Sequence, residues 1–442
     1  MTSPETPTLE TLCERLCEEV QPIFESVPIF GCKWITTPDG TLRVVVPDVP
    51  LVRSFSFSRA LDRLREVPSF DSLKKHLRAD PVFASLDAGD DDATRARFTG
   101  IVQGAMARRA EVVGQGVRFD ASRVAAELER LKAFLSGHVT LNSEVNARVW
   151  GIVIEEERIR LPDGMSLVRL DDEEMNIRQS FIPEHDPFQF EESRRLEHRA
   201  EIRYSVPYLV DDYRTPALWS ERGREAQERC PAVLEALMLC TSGSLELGPI
   251  EVSNPFGGMQ CFVLSHGPIP AASVRIGSGD EECLKRAYSI VKQGLSDAVM
   301  RRAVRRFLLG RDRLDWRDAI VDYVVAFESL VLTVNGHPVI DELSYRFSIN
   351  ATLLLREAGV GREEQSIQRQ MKALYRCRSA IVHGGDSGSI ESNLRNVGFG
   401  TIGEARQFLE VAFRQALFWL DTRMAEERPY RSAGGWDDLL WR

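Results

Sequence analysis

YRCRSAIVHGG, Tyr375–Gly385, closes a long helical pattern that begins after Gly361. Ile367, Met371, Leu374 and Ile381 recur at helical spacing, which makes one face apolar. Arg378 and His383 are the polar groups of interest, with Ser379 directly after the arginine. Five residues of helix turn through about 500°, so these two side chains point roughly 140° apart. One undistorted helix cannot gather them into a compact site. Fraying at Gly384–Gly385 would do it, and so would a second copy of the helix facing the first. The pair also has a purely structural reading, because arginine and histidine both favour the C-terminal end of a helix dipole.

Three upstream stretches give the motif its setting. DAIVDYVVAFESLVL (Asp318–Leu332) comes first, then ELSYRFSINATLLL (Glu342–Leu355), then the R-x4-H helix ending in VHG. Glu328 is a lone acid inside an apolar helical run, and a buried carboxylate is costly unless it is paired. Its candidate partners are Arg346 and Arg378. Either pairing would hold two helices together, and the second would also orient Arg378.

The order and spacing of these stretches resemble the Apea-like branch of the HEPN superfamily. The resemblance covers roughly residues 278–427, with a weaker echo in VWGIVIEEERIRLPDGMSLVRLDDEE (Val149–Glu174). It implies an all-α HEPN-like bundle over 276–427 and a metal-independent endoribonuclease whose two R-x4-H motifs meet across a homodimer. Arg378 would then stabilise charge on the phosphate, and His383 would move the proton. Glu328, Arg346 and Ser379 would support them. The chemistry is sufficient without metal or cofactor. The 2′-hydroxyl of RNA can attack its own phosphate, histidine titrates near neutrality, and the guanidinium fork matches phosphate oxygens. The resemblance further implies an anti-phage or abortive-infection effector restrained by its upstream domains, with a phage-derived trigger or an antitoxin as partner. A non-catalytic bundle used for dimerisation or docking is the alternative, and a toxin of a toxin–antitoxin pair is another.

Composition narrows the classes. The chain has 442 residues, 43% of them apolar, enough for two or three domains. No apolar run reaches membrane-spanning length, and MTSPETPTLE carries no signal-peptide pattern, so a cytoplasmic protein is expected. The eight cysteines form no C-x-x-C pair, and His185, His198 and His266 are dispersed, so no metal site is expected. Asp171–Glu174 lacks the spacing of a metal loop and reads as solvated.

A net charge of −10 argues against a protein that coats nucleic acid. Locally the balance reverses: Ser296–Arg313 holds six arginines against two aspartates, a net +4. Arg301/Arg305 and Arg302/Arg306 stand at i,i+4 spacing, where like charges repel unless an anion relieves them. These four arginines are candidates for contact with an RNA backbone, against the plainer reading of a solvated helix face.

In chain order the patterns predict a multidomain α+β protein. Residues 1–137 read as mostly helical with one hairpin. A helix is expected over 7–27, capped by Thr6 with Pro7 at its first position, and others over 93–113 and 121–135. Residues 138–275 read as a β-rich α+β domain with an antiparallel sheet and a long loop over 171–195. A helix over 218–240 is expected to break near Gly223 and Pro231. Helices follow from Ser278, which stands at capping-box spacing from Glu281, and Thr401/Glu404 open a last long one. The tail, 428–442, carries Trp436 and Trp441 and is expected either to dock on the body or to bind a partner.

Overall fold

The computed structural model describes residues 7–25, 33–36, 42–45, 63–86, 91–113, 116–171, 200–214, 216–253, 255–256, 259–262, 274–294, 296–335, 337–338, 341–423, 427–432 and 434–440. Helix and sheet are mixed, and among the described residues the chain from Glu281 onward is helical apart from one two-residue strand pair. It divides into two compact units. The first is Met1–Arg158, Gly164–Cys230 and Leu247–Ile269; the second is Ile159–Asp163, Pro231–Glu246 and Pro270–Arg442. The boundary drawn at 137/138 from sequence thus falls inside the first unit.

In that unit α1 (Leu9–Glu25), α2 (Pro68–Ala79), α3 (Pro81–Ala84), α4 (Asp91–Arg109) and α5 (Ala121–Leu135) share a core. Leu16, Phe24, Leu73, Val102 and Leu128 are fully buried there, together with Leu141 and Tyr208 of the sheet and Phe256. α1 begins at Leu9, and Thr8 Oγ1 accepts from the Thr11 amide at 3.2 Å. Thr8 therefore takes the place expected of Thr6, which lies outside the described residues. α5 matches its expected span. Asp120 caps it by accepting from Ser122 and Arg123, and Gly137 follows at a φ of 73°.

Two departures have physical causes. The helix expected to reach 113 stops at Arg109, and a hairpin of Ala110–Val113 with Gly116–Phe119 follows. Val112, Val113 and Val117 flanking Gly114 and Gly116 carry that hairpin signal. The helix expected to break at Gly223 and Pro231 runs unbroken as Pro216–Cys240. Cys230, Val233, Ala236 and Leu237 are buried around the proline, and tertiary burial of this kind outweighs one lost ladder bond.

Five strands of a six-stranded sheet lie in the first unit, save for the first residue of one, Glu246: Met259–Phe262, Glu246–Ser253, Leu141–Trp150, Ala200–Tyr208 and Ser166–Arg169, in that spatial order. The long pair Leu141–Trp150 and Ala200–Tyr208 is antiparallel, as are the pairs Ser166–Arg169 with Ala200–Tyr208 and Glu246–Ser253 with Met259–Phe262. Most of the expected loop 171–195 lies outside the described residues.

The second unit is built from helices named here in order after α6 (Val210–Arg214) and α7 (Pro216–Cys240). They are α8 (Glu281–Gln293), α9 (Ala298–Asp312), α10 (Trp316–Val331), α11 (Leu343–Glu357), α12 (Glu364–Val382), α13 (Ser387–Asn396), α14 (Ile402–Asp421) and α15 (Gly435–Leu440). Phe307 stacks on Phe413 at 4.7 Å, and Phe327 meets Phe413 edge-on at 5.1 Å, so α9, α10 and α14 share one aromatic centre. Ile367, Met371 and Leu374 bury the expected face of α12, whereas Ile381 is only half-buried. The expected Ser278–Glu281 box is replaced: Asp280 accepts from the Gly277 amide at 3.0 Å, and α8 starts at Glu281. Thr401 caps α14 as expected, accepting from Glu404 at 3.1 Å. α13 has no counterpart in the sequence reading; Asp386 caps it by accepting from Ser389 at 2.9 Å.

The tail docks. Tyr430 is fully buried, Trp436 and Leu439 nearly so, and Arg356 donates to the Leu439 carbonyl at 2.6 Å. Among the described residues no helix is long and apolar enough to cross a membrane.

Candidate functional site

α12 carries the motif, and its end decides the geometry. His383 donates its amide to Ser379 O at 3.1 Å, so the helix is intact up to its cap. Gly384 then takes a φ of 76°, its amide reaching Ile381 O at 3.1 Å, while the Gly385 amide reaches Ala380 O at 2.7 Å. This pair of bonds is a Schellman cap, which favours glycine at the left-handed position. The helix does not fray. Arg378 and His383 therefore keep their offset of roughly 140° along about 7.5 Å of axis. Of the two routes to a compact site, fraying is removed.

Arg378 points toward α10. Its Nε lies 3.6 Å from Glu328 Oε1, an ion pair too long for a hydrogen bond, and Nε has no hydrogen-bond partner. Burial pushes the Glu328 carboxyl up, and the Arg378 charge pulls it back down. Burial raises the Tyr375 phenol first, then the Glu328 charge raises it further, with Arg378 opposing. Tyr375 stands one turn before Arg378 and packs on Phe347 with ring centroids 4.9 Å apart. It belongs to the site, and its i,i+3 spacing from Arg378 is the signal that would have found it.

The other expected residues divide. Arg346 sits exposed in the first turn of α11, and no ion pair joins it to Glu328, so of the two candidate partners Arg378 is the one engaged. Ser379 is half-buried and contributes its carbonyl to the helix end. His383 is exposed. Beside it Val382 is 56% exposed, and Tyr345 on α11 is 58% exposed.

The arginine helix α9 is more committed than its sequence implies. Arg301 Nε donates to Gly294 O at 2.7 Å. Arg306 and Arg313 each reach the buried Asp322 at 2.9 Å. Arg305 faces Glu235, whose carboxyl burial raises and Arg305 lowers. Arg302 is exposed and has no ion pair among the described residues. Asp322 thus answers the Arg306 charge in the Arg302/Arg306 pair.

Near the motif's end, Arg317 at the start of α10 donates to Ser387 Oγ at the start of α13. Gln370 of α12 donates to Val397 O at 3.2 Å, so α13 is held at both ends. Among the described residues no group of three or more histidine, cysteine, aspartate or glutamate side chains is placed to hold a metal ion. No family model, no curated protein and no solved structure matches the chain.

Proposed function

We propose that the second unit is a HEPN-like helical bundle acting as a metal-independent endoribonuclease, in a cytoplasmic effector of anti-phage or abortive-infection type. The observation that supports this most is the arrangement on α12. An arginine held by one long ion pair, with its Nε free of hydrogen bonds, precedes an exposed histidine at the helix cap. An arginine so held can turn its fork toward a phosphate, and an exposed imidazole can reach a ribose hydroxyl. RNA is the substrate, Arg378 stabilises charge on the phosphate, and His383 moves protons. Glu328 and Tyr375 orient Arg378. The decisive experiment is cleavage of single-stranded RNA in EDTA, with the ends mapped.

The intact helix end leaves assembly as the route to a compact site. Two copies of α12 facing each other bring Arg378 of one within reach of His383 of the other. The exposed Val382 and Tyr345 are the apolar surface such a contact would cover. Light scattering at micromolar concentration should give about twice the mass of one chain. Monomeric protein that still cleaves RNA at nanomolar concentration would remove this part of the reading.

RNA backbone contact falls first to Arg302 and then to Arg305, which faces Glu235 but makes no close ion pair among the described residues, because Arg301 and Arg306 already hold bonded partners within the fold. Arg302→Gln with Arg305→Gln should reduce the slope of log affinity against log salt by roughly 1–2. Filter binding across a salt series measures it. An unchanged slope returns α9 to a solvated face.

A second reading has its own support. The Arg378–Glu328 pair joins α12 to α10, and as a structural tie it suits a bundle used only for dimerisation or docking. Full activity in His383→Ala would favour that reading.

A further inference from the structure

The cysteines of the described residues fall into two sets. Cys13, Cys17, Cys230 and Cys377 are buried, and burial pushes their thiols up, to about 12 for the first three and about 11 for Cys377. Thiols so held are poor nucleophiles. Cys240 and Cys283 differ from them. Both are partly exposed, and their sulfurs share a hydrogen bond at 2.9 Å. Cys240 is the last residue of α7, and Cys283 lies in the first turn of α8. The pair is 43 positions apart in the chain.

The surroundings divide the labour between them. The hydrogen bond to Cys283 and then burial push the Cys240 thiol up. The hydrogen bond shared with Cys240 draws Cys283 down, against its burial and the Asp280 charge, with Arg286 and Arg414 helping. When one proton leaves the pair, Cys283 becomes the thiolate and Cys240 remains its donor. A partly exposed thiolate with a thiol in contact has the parts of a redox-sensing pair, one sulfur to be oxidised and one to resolve it.

We propose that Cys240 and Cys283 are a peroxide-responsive dithiol, which hydrogen peroxide converts to a disulfide joining the end of α7 to the start of α8. In the first step the Cys283 thiolate attacks one peroxide oxygen. An S–O bond forms, the O–O bond breaks, and hydroxide leaves. In the second step the Cys240 sulfur attacks the Cys283 sulfenic acid. An S–S bond forms, the S–O bond breaks, and the Cys240 proton leaves with the oxygen as water. Two thiols give up two electrons, and the peroxide is reduced to two waters. The bond has a defined place in the chain path. Residues 247–269, between the two cysteines, belong to the first unit, whereas both cysteines belong to the second. The disulfide therefore closes the loop by which the chain leaves the second unit and returns to it.

The test uses the full chain with Cys32→Ser and Cys261→Ser, whose side chains lie outside the described residues. Reduced protein is treated with hydrogen peroxide and read by intact mass and by unreduced peptide mapping. The expected product has lost the mass of two hydrogens, contains a Cys240–Cys283 linked peptide, and reverts with dithiothreitol. Cys240→Ser should instead accumulate a sulfenic acid at Cys283, trapped by dimedone. Cys283→Ser should leave Cys240 oxidised at least about tenfold more slowly. Circular dichroism confirms that each variant is folded, and the wild-type linkage stands as a test by itself. The proposal is overturned if Cys13, Cys17, Cys230 or Cys377 oxidises as fast as Cys283, or if Cys240→Ser and wild type give the same product.

Discussion

His383→Ala is expected to slow RNA cleavage by roughly 10²–10⁴-fold, the usual worth of a positioned general acid or base. That corresponds to about 3–5 kcal/mol of transition-state stabilisation. The residue is exposed at a helix cap and buries little, so the variant should melt with wild type. Arg378→Ala should lose roughly 10²–10³-fold, by comparison with the removal of one oxyanion donor. Its structural cost should be about 1–3 kcal/mol, because the ion pair is long but its loss leaves the mostly buried Glu328 carboxyl without a partner. Glu328→Gln separates the roles. It removes the charge facing Arg378 and keeps the shape, so an orienting role predicts a smaller loss than in Arg378→Ala, in kcat rather than KM. Products are read on a sequencing gel in EDTA. The 5′ fragment should carry a 2′,3′-cyclic phosphate, and a DNA oligonucleotide lacking the 2′-hydroxyl should resist. Cleavage of that DNA, or undiminished activity in His383→Ala, would sink the ribonuclease reading.

Much of the second unit was legible because its helices are long and amphipathic. Ile367, Met371 and Leu374 are buried where the spacing placed them, and Thr401 caps where local chemistry required it. The misses occur where distant contacts outvote local signals. Pro231 reads as a breaker, yet buried neighbours on both sides hold one continuous helix across it. α13 is short, with only Ile390 and Leu394 buried, so its periodicity is too thin to detect. In the candidate site the sequence could offer Glu328 two arginines but could not choose, since the choice depends on how α12 packs on α10. It also could not see Asp322, a buried acid on α10 that engages two of the arginines around α9. Positive charge read from spacing alone therefore overstates the charge α9 has free for RNA.

The charged contacts of the docked tail converge on one carboxylate, that of Asp297. Asp297 caps α9, with Oδ1 accepting from the Val299 and Met300 amides at 3.0 and 3.2 Å. Its Oδ2 accepts from Arg428 at 3.0 Å, Arg431 at 2.7 Å and the Tyr430 hydroxyl at 3.0 Å. Burial alone would raise its pKa, but hydrogen bonds from Arg431, the Met300 amide and Tyr430 hold it below the ordinary value. Without the carboxylate, Arg428 would be a buried cation beside the positive end of a helix dipole. Asp297→Ala should therefore cost about 3–5 kcal/mol in urea denaturation. Asp297→Asn keeps a capping side chain and removes only the charge. It should still lose most of that amount, because the arginines and not the cap dominate. The sign of the pH dependence follows from the depressed pKa. The Asp297 contribution is fully present above the unfolded carboxyl value of about 3.9 and is lost as pH falls through the lower folded value. The gap between wild type and Asp297→Asn should accordingly be flat from about pH 5 to 8 and close below about pH 4. A loss under about 1 kcal/mol in Asp297→Ala at neutral pH would mean that Trp436 and Leu439 hold the tail by apolar packing alone, with the ion cluster a passenger.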